Sequence, residues 1–366
     1  MINMSFSSIS DFKSCPMRHY YRDVLKIVPI EDSEAQRMGT NWHAIQEVAA
    51  SLPVGTSNDD IMDAVIEHLN KVYSVPPISK TTEEWEVERI ILLYSLIGYR
   101  WYYQDDTYEV ESLEQKFNLP LRSPLTGRAL QAELRGKIDQ MFSSGPNNRF
   151  IHEYKSTSKN VDPDSSFWNH LRLDTQTRIY TYAANQLGLG MCGVLYDVWH
   201  KPQISPKKLT QAESKAFINS EGETFGQYCG EKFEITTDLT NGPGCGYLLV
   251  NGKPPEIEPG AKEGTFAIRE TPEMFGARLL QDITTRPEYY FARREIVHNA
   301  DDIASFEWEL FNIYHSIRQM NLHNRWWRNE SACEATFRCS YINFCYNNVN
   351  IQPGDVPENF RCIHAE

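Results

Sequence analysis

The stretch from Gly136 to Thr157, GKIDQMFSSGPNNRFIHEYKST, constrains the fold more than any other part of the chain. Two runs of strand-forming residues flank Gly145-Pro146-Asn147-Asn148, a composition that favours a turn because Gly and Asn accept backbone conformations most residues avoid. The pattern predicts a β-hairpin. Side chains alternate between the faces of a strand, so Glu153 and Lys155 project from one face and Tyr154 from the other. A turn over 145–148 would match 144 with 149 and set Asp139 opposite Tyr154, one register step from Glu153. Two carboxylates that close repel unless one is protonated or a cation lies between them, which suits a hard divalent ion such as magnesium or manganese. Lys155 would stand beside that ion and orient, or help deprotonate, an attacking water. An isolated Glu-x-Lys is by itself only a surface pair.

The neighbouring segments supply the architecture. Phe6, Ile9, Phe12, Tyr20 and Val24 recur at near-helical spacing, so residues 5–27 read as a helix entered at Ser5 or Ser8 and re-aimed at Pro16, which lacks a backbone donor. Helical periodicity returns over 37–51, 61–73 and 82–103, then gives way to strand patterning from about Tyr108. A helix is expected over 173–187, a returning strand over 191–200, an Asn-Gly hairpin over 248–253, and helices over 272–283 and 301–322. This order predicts an α/β protein, a mixed β-sheet flanked by helices. It divides into N-terminal helices over 1–52, an acidic helical subdomain over 53–107, a sheet-bearing core over 108–200, an insertion or elaborated edge over 201–297, and a C-terminal helix with a cysteine-rich segment over 298–366.

The net charge of −13 would ordinarily argue against a nucleic-acid partner, but its source is local. Residues 31–115 hold 17 of the 49 acidic and only 5 of the 36 basic residues, which leaves the remainder at −1. Such a segment reads as a solvated helical face, and a groove elsewhere could still hold a polyanion. No apolar run approaches the roughly 20 residues of a membrane span, and the N-terminus lacks the form of a secretory signal. A cytoplasmic, reducing location is expected, where eight cysteines are not a disulfide framework.

Further residues fall in a telling order. Gly39-Thr40-Asn41-Trp42-His43 places a histidine on a helix before the hairpin, and Gln176 and Tyr180 lie one turn apart on the helix after it. Gly-x-x-x-His43, then Gly136-Lys137-Ile138-Asp139, then Glu153-Tyr154-Lys155, then Gln176-x-x-x-Tyr180 resembles the PD-(D/E)xK nuclease superfamily, specifically its RecB-like branch. The opening SFSSISDFKSCPMRHYYR is similar to the start of that branch, although the proline of the family name is absent before Asp139. The resemblance implies a restriction-endonuclease-like core with His43, Asp139 and Glu153 as ligands of magnesium or manganese and Tyr154 lending its carbonyl. It implies Asp139, Glu153 and Lys155 as catalytic residues, and Gln176 and Tyr180 as contacts to the DNA backbone that order the site. Glu114, with Glu111 competing, would correspond to a further acidic position.

The same branch contains members, AddB nuclease domains and CRISPR adaptation nucleases among them, in which one N-terminal cysteine joins three C-terminal ones around a 4Fe-4S cluster. By that resemblance Cys15, Cys333, Cys339 and Cys345 would be ligands, with zinc the lesser alternative because the Cys333 to Cys339 interval departs from the family spacing. Such a cluster would clamp the two ends of the chain. Cys192, Cys229, Cys245 and Cys362 stay unassigned, Cys245 being the most exposed by its Gly-rich surroundings. Arg325-Trp326-Trp327-Arg328 mixes cations with rings that would stack on a single strand or a DNA end, or pack under the cluster. Arg293 and Arg294 are a second candidate phosphate contact. The implied activity is a metal-dependent DNA exonuclease of recombination or repair, in a bacterial or virus-infected cell. The alternatives are a non-catalytic DNA-binding or scaffold subunit working with a helicase, and an endonuclease.

Overall fold

The computed structural model describes the chain apart from residues 32, 107–108, 146–147, 219–224, 239–246, 261, 263–264, 336–337 and 364–366. Its first part is helical: β1 (Ile2–Met4), α1 (Phe6–Ser14), α2 (Pro16–His19), a π-helical turn at Tyr20–Val24, β2 (Ile27–Pro29), α3 (Glu34–Ser51), α4 (Asn58–Val72) and α5 (Thr82–Tyr102). Then come β3 (Glu109–Arg122), β4 (Ala129–Ser143), β5 (Arg149–Thr157), α6 (Ser166–Leu171), α7 (Thr175–Gln186) and β6 (Gly193–His200). The smaller elements follow as α8 (Gln211–Ile218), β7 (Phe225–Tyr228), β8 (Glu231–Asp238), β9 (Tyr247–Val250), β10 (Ile257–Pro259) and β11 (Phe266–Ile268). The chain closes with α9 (Pro272–Thr285), α10 (Pro287–Tyr290), β12 (Phe291–Ile296), α11 (Ala300–His323), α12 (Ile342–Tyr346) and β13 (Phe360–Cys362).

Local chemistry sets the boundaries. Ser5 accepts from the Ser8 N–H to start α1, and the extended Cys15 and helix-initiating Pro16 re-aim the chain into α2, as the proline predicted. Ser33, Thr81 and Asn299 close reciprocal capping boxes at the starts of α3, α5 and α11.

The six-stranded central sheet is mixed. Along one edge β4 pairs antiparallel with β3; along the other it pairs parallel with β1 through Ala132–Leu134, then antiparallel with β5 through Gln140–Ser143. Residues 135–139 lie between those two partners, and the sheet splits there. Parallel β6 and antiparallel β12 extend it beyond β5. One face buries Ile151, Val194, Tyr196 and Val198 against α7 and α11; the other buries Tyr154 and Trp199 against α3, α5 and α9. Helices thus cover both faces, the expected α/β arrangement.

Three expectations are corrected. The hairpin closes on Ser143 opposite Arg149, with one residue more in the connection than the symmetric turn, so the register carries Asp139 toward Glu153 instead of Tyr154. The Asn251-Gly252 turn joins only a single bridge, Val250 to Lys253, because β9 pairs back onto β8. The acidic helices are also more than a solvated face. Glu88 is buried and takes two hydrogen bonds from Arg37, one from Lys80 and one from Tyr73, which ties α5 to α3. These bonds outweigh the cost of burial and hold the Glu88 carboxyl below its usual range.

Candidate active site

Helix α3 reaches the split in the sheet because Gly39 lets it approach β5: a Cβ at that position would stand 3.1 Å from Ser156 Oγ. One turn later His43 Nδ1 lies 3.2 Å from Asp139 Oδ2, and its ring stands edge-on to Tyr154 at 6.0 Å. Burial pulls the His43 imidazole down, but its close contact with Asp139 and the field of Glu153 outweigh that and hold it above its ordinary value. Gly136 serves the same strand from the inner side, since a Cβ there would meet the Phe117 ring at 2.4 Å.

Glu153 is fully buried, and neither of its oxygens has a hydrogen-bond partner among the described residues. Lys155 Nζ lies 2.9 Å from Oε1, at ion-pair distance but without hydrogen-bond geometry. Burial is the main cause that pushes the Glu153 carboxyl up to about 7, with Asp139 adding to it and Lys155 and His43 opposing it. Lys155 also meets Asp174 at 3.1 Å and donates to Gln176 Oε1 at 2.6 Å, and Gln176 donates to the Tyr180 hydroxyl at 3.0 Å. Burial disfavours the Lys155 cation, but Glu153 and Asp174 more than compensate and raise it. The ammonium is therefore the form held here, which suits charge stabilisation and orientation and not proton abstraction.

The hairpin and two helices thus gather His43, Asp139, Glu153, Tyr154, Lys155, Gln176 and Tyr180. A cleft of about 90 Å³ opens beside Asp139, lined by His43, Gln46 and Glu47 of α3 and by Glu114 and Lys137 of the sheet. Among the described residues no three His, Cys, Asp or Glu side chains stand close enough to hold a metal ion as placed. The donors nevertheless suit a hard cation: Asp139 Oδ2 and both Glu153 oxygens are sealed from water without a hydrogen-bond partner.

A family model for the PD-(D/E)XK nuclease superfamily matches residues 3–345. The chain belongs to that superfamily. No curated protein matches it. The mixed sheet flanked by helices is the fold expected of a PD-(D/E)XK nuclease, and DNA is the substrate that membership implies.

Other expected contacts fall differently in this nuclease. Tyr180 is buried in the core, so its ring is not presented to a DNA backbone; its place at the end of the Lys155–Gln176 chain favours the ordering role. Arg293 is not a phosphate contact, because it is spent inside the fold on Asp197 at 2.6 Å and on Asp106, with Tyr103 beneath it. Arg294 lies over Trp168 and donates to the Pro163 carbonyl. Trp326 packs on His19 and Tyr20, whereas Trp327 is exposed. Glu111 pairs with Arg149 at the end of the hairpin, and Glu114 takes the Lys137 ammonium across from Asp139. Asp174, missed in the sequence, was signalled by its position as the N-cap of α7.

Cys15, Cys333, Cys339 and Cys345 line one small pocket with Arg18 and Arg328, and the Asn329 N–H donates to Cys15 Sγ at 3.3 Å. Burial first, then neighbouring thiols, raise Cys333; burial raises Cys339. Around them the chain ends are joined independently of any cluster: β13 pairs with β2, and Tyr341 donates to the Ile27 carbonyl at 2.7 Å. Cys192 and Cys362 are exposed, Cys229 is half-buried, and Cys245 lies outside the described residues.

Proposed function

We propose that the chain is a metal-dependent DNA exonuclease of recombination or repair. What carries the reading is Glu153, a fully buried carboxylate whose two oxygens have no hydrogen-bond partner among the described residues, held between Lys155 and the Asp139–His43 pair. His43, Asp139, Glu153 and the Tyr154 carbonyl would hold magnesium or manganese, which when bound supplies Lewis-acid polarisation of the phosphate and activation of water. Lys155, kept as a cation by Asp174 and Glu153, orients the nucleophile and offsets charge that builds on the phosphate. Gln176 fixes the Lys155 amine, and Tyr180 fixes Gln176. Helix α3, whose buried face packs over the split of the sheet, limits water there, which strengthens each of these interactions.

The four cysteines would hold a 4Fe-4S cluster, or zinc as the lesser alternative, between the two chain ends. Their shared pocket and the two arginines that line it support this, since the cations offset thiolate charge. Its role is structural, because the β2–β13 pairing already draws the termini together.

The test is a gel assay on linear and covalently closed DNA, single- and double-stranded, with magnesium or manganese. Cutting of linear DNA that Lys155→Ala and Asp139→Ala abolish is expected, with closed circles spared. Cutting of closed circles would make the chain an endonuclease. Absence of cutting by a folded, iron-loaded protein would leave a DNA-binding subunit that serves a helicase. Iron and sulfide analysis of an anaerobic preparation tests the cluster, and stoichiometric zinc in place of iron would overturn it.

A further inference from the structure

The β3–β4 ribbon extends past the split and turns one face to solvent. Phe117, Leu119, Leu121, Ala132, Leu134 and Ile138 lie toward the core with Gly136, and the residues that alternate with them, Lys116, Asn118, Glu133, Arg135 and Lys137, point out. On that outer face Lys116 stands directly opposite Lys137, and Asn118 opposite Arg135. Arg122 and Arg128 stand at the connecting turn, both exposed. Two acidic groups share the face: Glu133, which pairs with Arg135 at 2.7 Å, and Glu114, which takes Lys137. Lys116, Arg122 and Arg128 have no ion-pair partner among the described residues. Directly opposed like charges destabilise a sheet, so the Lys116/Lys137 pair is a cost the fold carries in a protein of net charge −13. Lys137 lies two residues before Asp139, about 7 Å along the strand, so the cationic face ends at the candidate catalytic carboxylate.

We propose that this face is the track along which the sugar-phosphate backbone of one DNA strand runs into the site. The inference rests on the nuclease reading and names the path its substrate takes. Charge complementarity selects the occupant: a row of cations aligned with a strand axis, three of them without an ion-pair partner among the described residues, and leading to a phosphodiesterase site fits a polyanion better than a protein or a lipid surface.

The experiment measures binding of a single-stranded oligonucleotide by the Lys155→Ala chain in calcium, and steady-state cutting by the otherwise unsubstituted chain. Each is repeated with Lys116→Gln, Arg122→Gln and Arg128→Gln combined. A second triple, Lys71→Gln, Lys215→Gln and Lys262→Gln, makes the same change in net charge elsewhere. The track triple is expected to weaken binding at least about tenfold and to lower the slope of log Kd against log salt by about 2, at roughly 0.7 for each phosphate no longer neutralised. KM should rise with kcat unchanged, and the control triple should do neither. Equal effects from both triples, or none from the track triple, would overturn the track and leave the nuclease reading standing. A chain that neither binds nor cuts DNA before substitution would overturn both.

Discussion

Two carboxylates one strand apart, Glu153 on β5 and Asp197 on β6, share almost the same burial and have opposite surroundings. Asp197 takes the Arg293 guanidinium at 2.6 Å, the Tyr99 hydroxyl at 2.6 Å and the His152 ring at 3.2 Å. Those partners outweigh burial and hold its carboxyl below the ordinary value, whereas burial dominates at Glu153 and raises it to about 7. The same sheet can therefore satisfy a buried carboxylate with several partners. That it leaves Glu153 without hydrogen bonds, next to Asp139 and Lys155, separates a group retained to hold the fold from one retained for a ligand.

The comparison breaks most visibly in function. Glu153→Gln keeps the shape of the side chain but removes its charge, and cutting should fall on the order of a thousandfold, the scale of losing one preorganised charge-stabilising group. The same change should leave thermal unfolding unaltered or slightly delayed, since the charge it deletes has no hydrogen bonds to lose. Asp197→Asn should behave in reverse. It strands Arg293 beside a neutral amide, so urea unfolding should show a loss of about 3 kcal/mol, with the residual folded protein still able to bind DNA. Equal loss of stability in both variants would mean that Glu153 is a structural residue like Asp197.

The sequence shows one of these two groups and hides the other, for a physical reason. Glu153 and Lys155 are legible because the period of a strand puts them on one face, and the turn residues at 145–148 locate the hairpin to within one residue of its true register. Asp197 stands alone in the apolar run GVLYDVWH, and its partners come from α5, β5 and β12, separated from it by 45 to 98 residues. No local spacing encodes that meeting. Glu88 is hidden likewise, since its neighbours Glu83, Glu84 and Glu86 make it look like one more solvated charge. The longer helices and strands are legible from periodicity, and Ser5 and Pro16 mark the start and the bend of the first because they act within a single turn. The four cysteines meet at one pocket because the β2–β13 pairing and the bonds of Asn329 to Ser14 and Cys15 bring the chain ends together, which no spacing between Cys15 and Cys333 records.

The change with each pH unit is the smallest reading and the most discriminating, because it follows both carboxylates in one titration. Glu153 has a folded value near 7 against an ordinary 4.5, so the folded chain binds the extra proton between those limits. Its contribution to stability is complete below about 4.5 and is lost as pH rises through about 7, with a slope of at most about 1.4 kcal/mol per pH unit. Asp197 has the opposite sign. Held below its ordinary 3.8, it contributes fully above that value and loses its contribution as pH falls through the lower folded value. With divalent ions removed by a chelator, the unsubstituted chain and Glu153→Gln should diverge in unfolding free energy only from pH 4.5 to about 7. The gap between the unsubstituted chain and Asp197→Asn should stay constant there and close only below 3.8. A Glu153→Gln curve parallel to the unsubstituted one from pH 4.5 to 7 would show that Glu153 is ionised and partnered in the folded chain, which removes the contrast on which its role as a ligand rests.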